Sequence, residues 1–210
     1  VITPPDRVSQ NSNHIADEGI RFDISKIDFE RLRQEFSRVK NKNLLMKDLK
    51  EVINDRLDMM MKRNPSRINY YERYQKIIDE YNAEQDKAAI EKTFIELTAL
   101  VNDLNDEEKR FVREGFENDE ELAIYDLLLK NSLTPAEIKK VKKLAKILLK
   151  QIKQTIKKLD HWTEKEETQA AVDVVIRDIL YKELPESYDK EITQYRQKVY
   201  EFVYSAYSAA

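Results

Sequence analysis

The fold is decided by Ser132–Pro185, SLTPAEIKKVKKLAKILLKQIKQTIKKLDHWTEKEETQAAVDVVIRDILYKELP. Between Leu133 and Leu184 it reads as two long helices joined by a short hinge, which carries the only tryptophan of the chain, Trp162. Thr134, Pro135 and Glu137 fall at the N-cap, N1 and N3 positions of a capping box, with proline where its missing N–H costs nothing. Behind that start, Ile138, Val141, Ala145, Leu148, Ile152 and Leu159 recur on a seven-residue rhythm broken at Thr155, which predicts one buried stripe. The other side carries Lys139, Lys140, Lys142, Lys143, Lys146, Lys150, Lys153, Lys157 and Lys158 against the single acid Glu137, a net of +8. The whole chain is −3, so −11 resides elsewhere. Asp160, His161 and Trp162 form the hinge. Thr163 with Glu166 repeats the capping pattern and predicts a second helix with Val172, Val175, Ile176 and Ile179 inward. Pro185 ends it, since an interior proline lacks the N–H and clashes with the preceding turn.

Outward from this pair, composition sets the class. Two glycines and five prolines in 210 residues supply too little turn chemistry for a many-stranded sheet, and the apolar residues recur at helical spacing. The expected fold is all-α: a multi-helix bundle with short connections and a mostly irregular N-terminal arm. Residues 1–26 read as a linker or arm, 27–104 as an N-terminal helical part, 105–207 as the C-terminal part of the same domain, and 208–210 as a tail or expression remnant. The opening Val1-Ile2-Thr3-Pro4-Pro5 suggests a piece cut from a longer protein. Absence of cysteine excludes a disulfide framework and a thiolate metal site, which fits a reducing cytoplasm. No apolar run is long enough to cross a bilayer, so no membrane partner is expected.

Within the arm, Ile20, Phe22 and Ile24 alternate as a short strand or anchor. Helices are expected over Ile27–Val39, over Leu44–Lys62 closed by Asn64–Pro65, and over Arg67–Asn82. The Met59–Met61 run reads as gap-filling core, with a soft docking face as the alternative. Tyr70, Tyr71, Tyr74 and Tyr81 read as core aromatics, because their three- and four-residue spacing makes a stripe; stacking of bases is the alternative. A helix follows over Asp86–Asn102, then a short acidic one over Asn105–Glu114, stopped by Gly115 as a left-handed cap. Asn118 caps DEELAIYDLLLK. The closing element, Ser187–Tyr207, has Ile192, Tyr195, Val199, Phe202 and Ala206 on one stripe and further tyrosines beside it, so it is either central to the core or half of an interface.

Catalytic motifs are missing. There is no GxxxxGK[ST] loop, and Gly19 and Gly115 are too far apart to build a phosphate cradle. His14 and His161 belong to no ligand cluster. His161, beside Asp160, has the means to titrate near neutral pH but no nucleophile to serve, and it reads as a capping or packing residue. Glu107/Glu108 and Glu120/Glu121 read as acids at helix starts. No residue is assigned to catalysis, to a cofactor or to a metal. Two candidate surfaces remain. Trp162, Tyr188, Tyr195, Tyr200, Phe202 and Tyr204 are candidates for partner docking, and Lys139, Lys143, Lys146, Lys150, Lys153 and Lys157 for contact with DNA or an acidic surface. The lysines have a third use, neutralisation by the acidic segment 103–121 of the same chain.

The run EIKKVKKLAKILLKQIK, then LDHWTEKEETQAAVDVVIRDILYKELPESY, then VYEFVYSAY, resembles the carboxy-terminal helical domain of the restriction and motor subunit (HsdR) of type I restriction-modification enzymes. The upstream IEKTFIELTALVNDLNDEEKRFVREGFENDEELAIYDLLLK fits the same region. The likeness covers 90–207 well. It departs at Thr163, where the family often has arginine, and at Gln169, where it has the arginine of T-R-A-A-V. The resemblance implies a prokaryotic cytoplasmic subunit whose other domains carry a nuclease and two ATPase lobes, using ATP and Mg. It implies partners in the modification and specificity subunits of the methyltransferase core, in other domains of the same subunit, and in DNA within the full complex. The expected role of this chain is a non-catalytic assembly domain; the alternative is a DNA-contacting module that supports translocation.

Overall fold

The computed structural model describes residues 34, 36–38, 42–83 and 86–208, with 43 and 44 described in backbone only. The arm, His14, Gly19 and most of the helix expected over 27–39 lie outside these residues. Among the described residues the regular elements are helices, without a strand. In chain order these are α1 (Lys42–Arg63), a 3-10 turn (Pro65–Arg67), α2 (Ile68–Ala83), α3 (Lys87–Glu108), the one-turn α4 (Arg110–Arg113) and α5 (Asp119–Leu128). Then come α6 (Pro135–Ile156), α7 (Glu166–Glu183), a second 3-10 turn (Glu186–Tyr188) and α8 (Ile192–Tyr207).

Local chemistry sets most of the ends. The box at α6 is complete: Thr134 Oγ1 accepts from the Glu137 N–H at 3.3 Å while Glu137 Oε2 accepts from the Thr134 N–H at 2.9 Å. Asn118 accepts from Glu121 N at 2.9 Å at the start of α5. Gly115 sits at φ +79°, with its N–H on the Val112 carbonyl and that of Phe116 on the Phe111 carbonyl, the paired bonds of a Schellman ending.

Two expectations fail. No helix ends at Asn102: α3 runs unbroken to Glu108, because Leu100, Val101 and Leu104 continue its buried stripe, and the break comes at Lys109. Nor does Thr163 cap α7. The N-cap is Lys165, without a side-chain bond, since a turn closed by Glu164 N on the His161 carbonyl delays the start. Thr168 Oγ1 donates to the Trp162 carbonyl at 2.8 Å, and Gln169 to that of Thr163 at 2.6 Å, so this loop is tied down from inside α7.

Apolar burial forms two clusters. The first joins α1 (Met46, Leu49, Ile53, Leu57, Met60), α2 (Tyr74, Ile77, Tyr81) and α3 (Phe94, Leu97, Leu100, Val101, Leu104), and Phe36 stacks on Phe94 with ring centroids 3.9 Å apart. The second runs from Phe116 to Val203 and draws on α5, α6, α7 and α8. The division falls between Leu104, the last apolar residue of the first cluster, and Phe111, and α3 itself ends within that interval at Glu108. Tyr74 and Tyr81 are core, Tyr70 and Tyr71 half-buried against it, and of the methionine run Met60 is buried while Met59 is exposed.

Candidate functional site

Trp162 is delivered to the second core by the hinge. His161 adopts φ +46°, a left-handed turn that non-glycine residues seldom take, and this points the next side chain inward. Trp162 is 1% exposed, donates its indole N–H to the Tyr207 carbonyl at 3.0 Å and meets Tyr204 edge-on at 5.7 Å. His161 itself is exposed, 3.4 Å from Glu164. Tyr207 returns the lock: its hydroxyl donates to Glu120 Oε1 at 2.8 Å, Glu120 pairs with Lys153, and Lys153 lies over the Tyr207 ring. Burial, then the bond to Glu120, pushes the Tyr207 hydroxyl well above the ordinary tyrosine range. Tyr188 is fully buried, donates to the Leu128 carbonyl at 2.6 Å and packs edge-on against Tyr195 at 4.9 Å.

Of the six aromatic docking candidates, Trp162, Tyr188, Tyr195 and Phe202 are therefore core. Tyr200 is half-buried, and Tyr204, 39% exposed, is the one left at the surface.

The basic face of α6 divides into two sets. Lys142 pairs with Glu114 at 2.6 Å, Lys146 donates to the Gly115 carbonyl at 2.6 Å, and Lys153 holds Glu120. The hydrogen bond from Lys142 holds the Glu114 carboxyl below its ordinary range. Lys142 and Lys153 are thus neutralised by acids of segment 114–120, while Lys146 is tied to the same segment through a backbone carbonyl. Among the described residues Lys139, Lys140, Lys143, Lys150, Lys157 and Lys158 make no ion pair. At 100° per residue, Lys139, Lys143, Lys150 and Lys157 lie within about 40° of one line, a charged row about 27 Å long.

A polar cluster that the sequence did not reveal joins the two cores. Arg67, 3% exposed, donates from Nε to Glu107 Oε1 at 3.0 Å, and from Nη1 and Nη2 to Asp119 at 2.8 and 2.6 Å. Arg110 grips Glu107 through Nε at 3.0 and 2.9 Å and Asp126 through both terminal nitrogens. Buried Asn64 donates to Asp126 Oδ2 at 2.7 Å while accepting from Ser66 N. Burial alone would lower both guanidinium pKa values, but bonds and charge from Asp119 and Glu107 for Arg67, and from Asp126 and Glu107 for Arg110, raise them instead. Glu107 is thus no helix-start acid. It closes α3 as the shared acceptor of two arginines, because the helix runs six residues past the expected stop and carries it into the joint.

The outward side of α7 also went unsignalled. Val172, Ile176 and Leu180 are buried, whereas Val174 and Tyr181, seven residues apart, are 39% and 60% exposed. Ala170 is exposed on the same side, and Arg177 pairs with Asp178 between the two apolar positions. Apolar residues off the buried stripe at heptad spacing were the available signal.

A family model described as type I restriction enzyme HindI endonuclease subunit-like, C-terminal, matches residues 16–204. The chain belongs to that family. No curated protein and no solved structure gives a match. In this C-terminal domain of a type I restriction endonuclease subunit, the described residues include no group of three or more acids or histidines able to hold a metal ion. They also include no helix long and apolar enough to cross a membrane.

Proposed function

We propose that this domain is a non-catalytic assembly module, which docks the restriction and motor subunit onto the methyltransferase core of modification and specificity subunits. ATP, Mg and nuclease chemistry belong, in this reading, to other domains of the same subunit. One observation carries it: a core closed by its own aromatics still leaves Val174, Tyr181 and Tyr204 exposed on α7 and α8. Large apolar side chains left at the surface of helices that close a core supply anchors for an association surface. The test is co-purification of the chain with the methyltransferase core. Retention through size exclusion supports docking, and separate elution at micromolar concentrations refutes it.

A second reading rests on the row Lys139, Lys143, Lys150 and Lys157, whose ammonium groups have no internal acid among the described residues. Phosphate contact releases counterions, so DNA engagement through this row weakens with salt. Replacing the four by glutamine lowers the salt slope of DNA binding by the assembled enzyme, by about one for each phosphate that is no longer neutralised. Lys146 and Lys153 take no part in this row, being occupied by Gly115 and Glu120. An unchanged slope leaves a solvated face.

A further inference from the structure

The two halves of the chain are joined by a chemistry unlike the one that closes each of them. One apolar cluster draws on residues up to Leu104 and the other on residues from Phe111 onward, and among the described residues no side chain belongs to both. Where the halves meet, α5 rests on α1 and on the Pro65–Arg67 turn. The side-chain bonds that cross this seam are polar: Asn64 to Asp126, Arg67 to Asp119, Arg110 to Glu107, and Arg113 Nη2 to the Asp106 carbonyl at 2.9 Å. Asn64 and Arg67 are buried, so the seam is dry while it is closed.

The two kinds of contact open at different cost. Parting an apolar core puts hydrocarbon into water and gains nothing in return. Parting a buried ion network breaks strong bonds but gives each ion back its hydration, which offsets much of the loss. Here two cations, Arg67 and Arg110, face three acids, Glu107, Asp119 and Asp126, so the closed seam also holds one negative charge in excess. The chain path supplies a pivot. α3 stops at Glu108, Lys109 turns out of it at φ −93° and ψ −3°, α4 lasts a single turn, and Gly115 at φ +79° makes a second bend.

We propose that the seam is a reversible joint. The clamp of Arg67, Glu107, Arg110, Asp119 and Asp126 is its closed, resting state, and release of the clamp lets residues 42–108 and 119–207 turn about Lys109–Gly115 as two bodies that both stay folded. Sub-global opening takes the route of least free energy, and in this chain that route runs through groups that water solvates well.

The experiment is pulsed electron spin resonance on the whole chain, which has no cysteine of its own, so that paired labels attach only at introduced sites. Ile95→Cys with Tyr181→Cys spans the seam, while Met59→Cys with Ile95→Cys and Leu129→Cys with Tyr181→Cys each report within one half; all four positions are exposed. Each pair is measured at about 0.1 M and about 1 M salt, over which the Debye length falls from about 10 to about 3 Å. It is measured in wild type and in Arg67→Met/Asp119→Asn, which removes one arm of the clamp and leaves Glu107 with Arg110. The expected result is a second, longer cross-seam distance that grows with salt, with an open-to-closed ratio about tenfold higher in the double variant. The pairs within each half stay narrow, and helical circular dichroism and Trp162 emission do not change. A single narrow cross-seam distance in both proteins at both salt concentrations overturns the joint. Broadening within either half alongside it also does, because a core then loosens rather than the seam. If the double variant does not fold, the wild-type pairs across the salt range decide by the same criterion.

Discussion

Arg110→Met is the sharpest test of the joint between the cores. Arg110 neutralises two carboxylates, but its neighbours are not equally placed to survive its loss. Glu107 keeps Arg67 at 3.0 Å and the Tyr70 hydroxyl at 3.4 Å. The Asp126 carboxylate, 6% exposed, is left with Asn64 alone. Removing one partner of a buried ion pair costs about 3–5 kcal/mol, most of it from the charge left behind. Arg67→Met strands much less, because Asp119 is 24% exposed and can turn to water while Glu107 keeps Arg110. Loss of hydrogen bonds to charged groups then sets its cost, at about 1.5–3 kcal/mol. The predicted order is Arg110→Met above Arg67→Met, and Asp126→Asn added to Arg110→Met recovers at least half of the loss by removing the stranded charge. Urea titration at pH 7, followed by helical circular dichroism and by Trp162 fluorescence, reads both values. Equal costs for the two arginine variants, or no recovery in the double variant, would refute the assignment of the cost to Asp126.

Other predictions follow from single contacts. Trp162→Ala lowers stability by about 3–5 kcal/mol, as expected for a large buried aromatic, whereas Tyr204→Ala, at the partly exposed edge of the same contact, costs about 1 kcal/mol; thermal unfolding distinguishes them. Gly115→Ala meets no atom within 4 Å of the new Cβ but must hold φ +79°, so its cost is conformational, about 1–2 kcal/mol, by chemical denaturation. Glu137 is held at about 2, below its ordinary 4.5, by bonds from the Ser187 hydroxyl, the Thr134 N–H and the Thr134 hydroxyl. A depressed folded-state value contributes stability above 4.5 that is lost as pH falls toward 2. Glu137→Gln therefore flattens the acid side of the stability profile in that window, and an identical profile counts against the clamp.

Signals confined to one turn are legible in the amino-acid order itself. Thr134 with Glu137, Asn118 with Glu121, and Gly115 after Val112 each act within a few residues. The α6 stripe is equally plain, with Val141, Ala145, Leu148 and Ile152 buried as periodicity requires. Thr163 carries as good a local signal and loses, because burying Trp162 on Tyr207, 45 residues away, sets the path of that loop. The joint is illegible for the same reason. Arg67 meets Glu107 across 40 residues and Asn64 meets Asp126 across 62, and in a highly charged chain no single acid marks itself as buried. Which lysines of α6 remain free depends likewise on where the Gly115 turn comes to rest.

α3 spans 22 residues, about 33 Å, and ends at Glu108, just short of the seam between the two cores. A flexible tether there would let one half swing before the other felt anything. The break after Glu108 is bridged instead by Arg110, which holds Glu107 on one side and Asp126 on the other, so the clamp closes the gap that the helix leaves. Pull the two halves apart and the charged bonds of the clamp stretch first, since no helix runs across the seam.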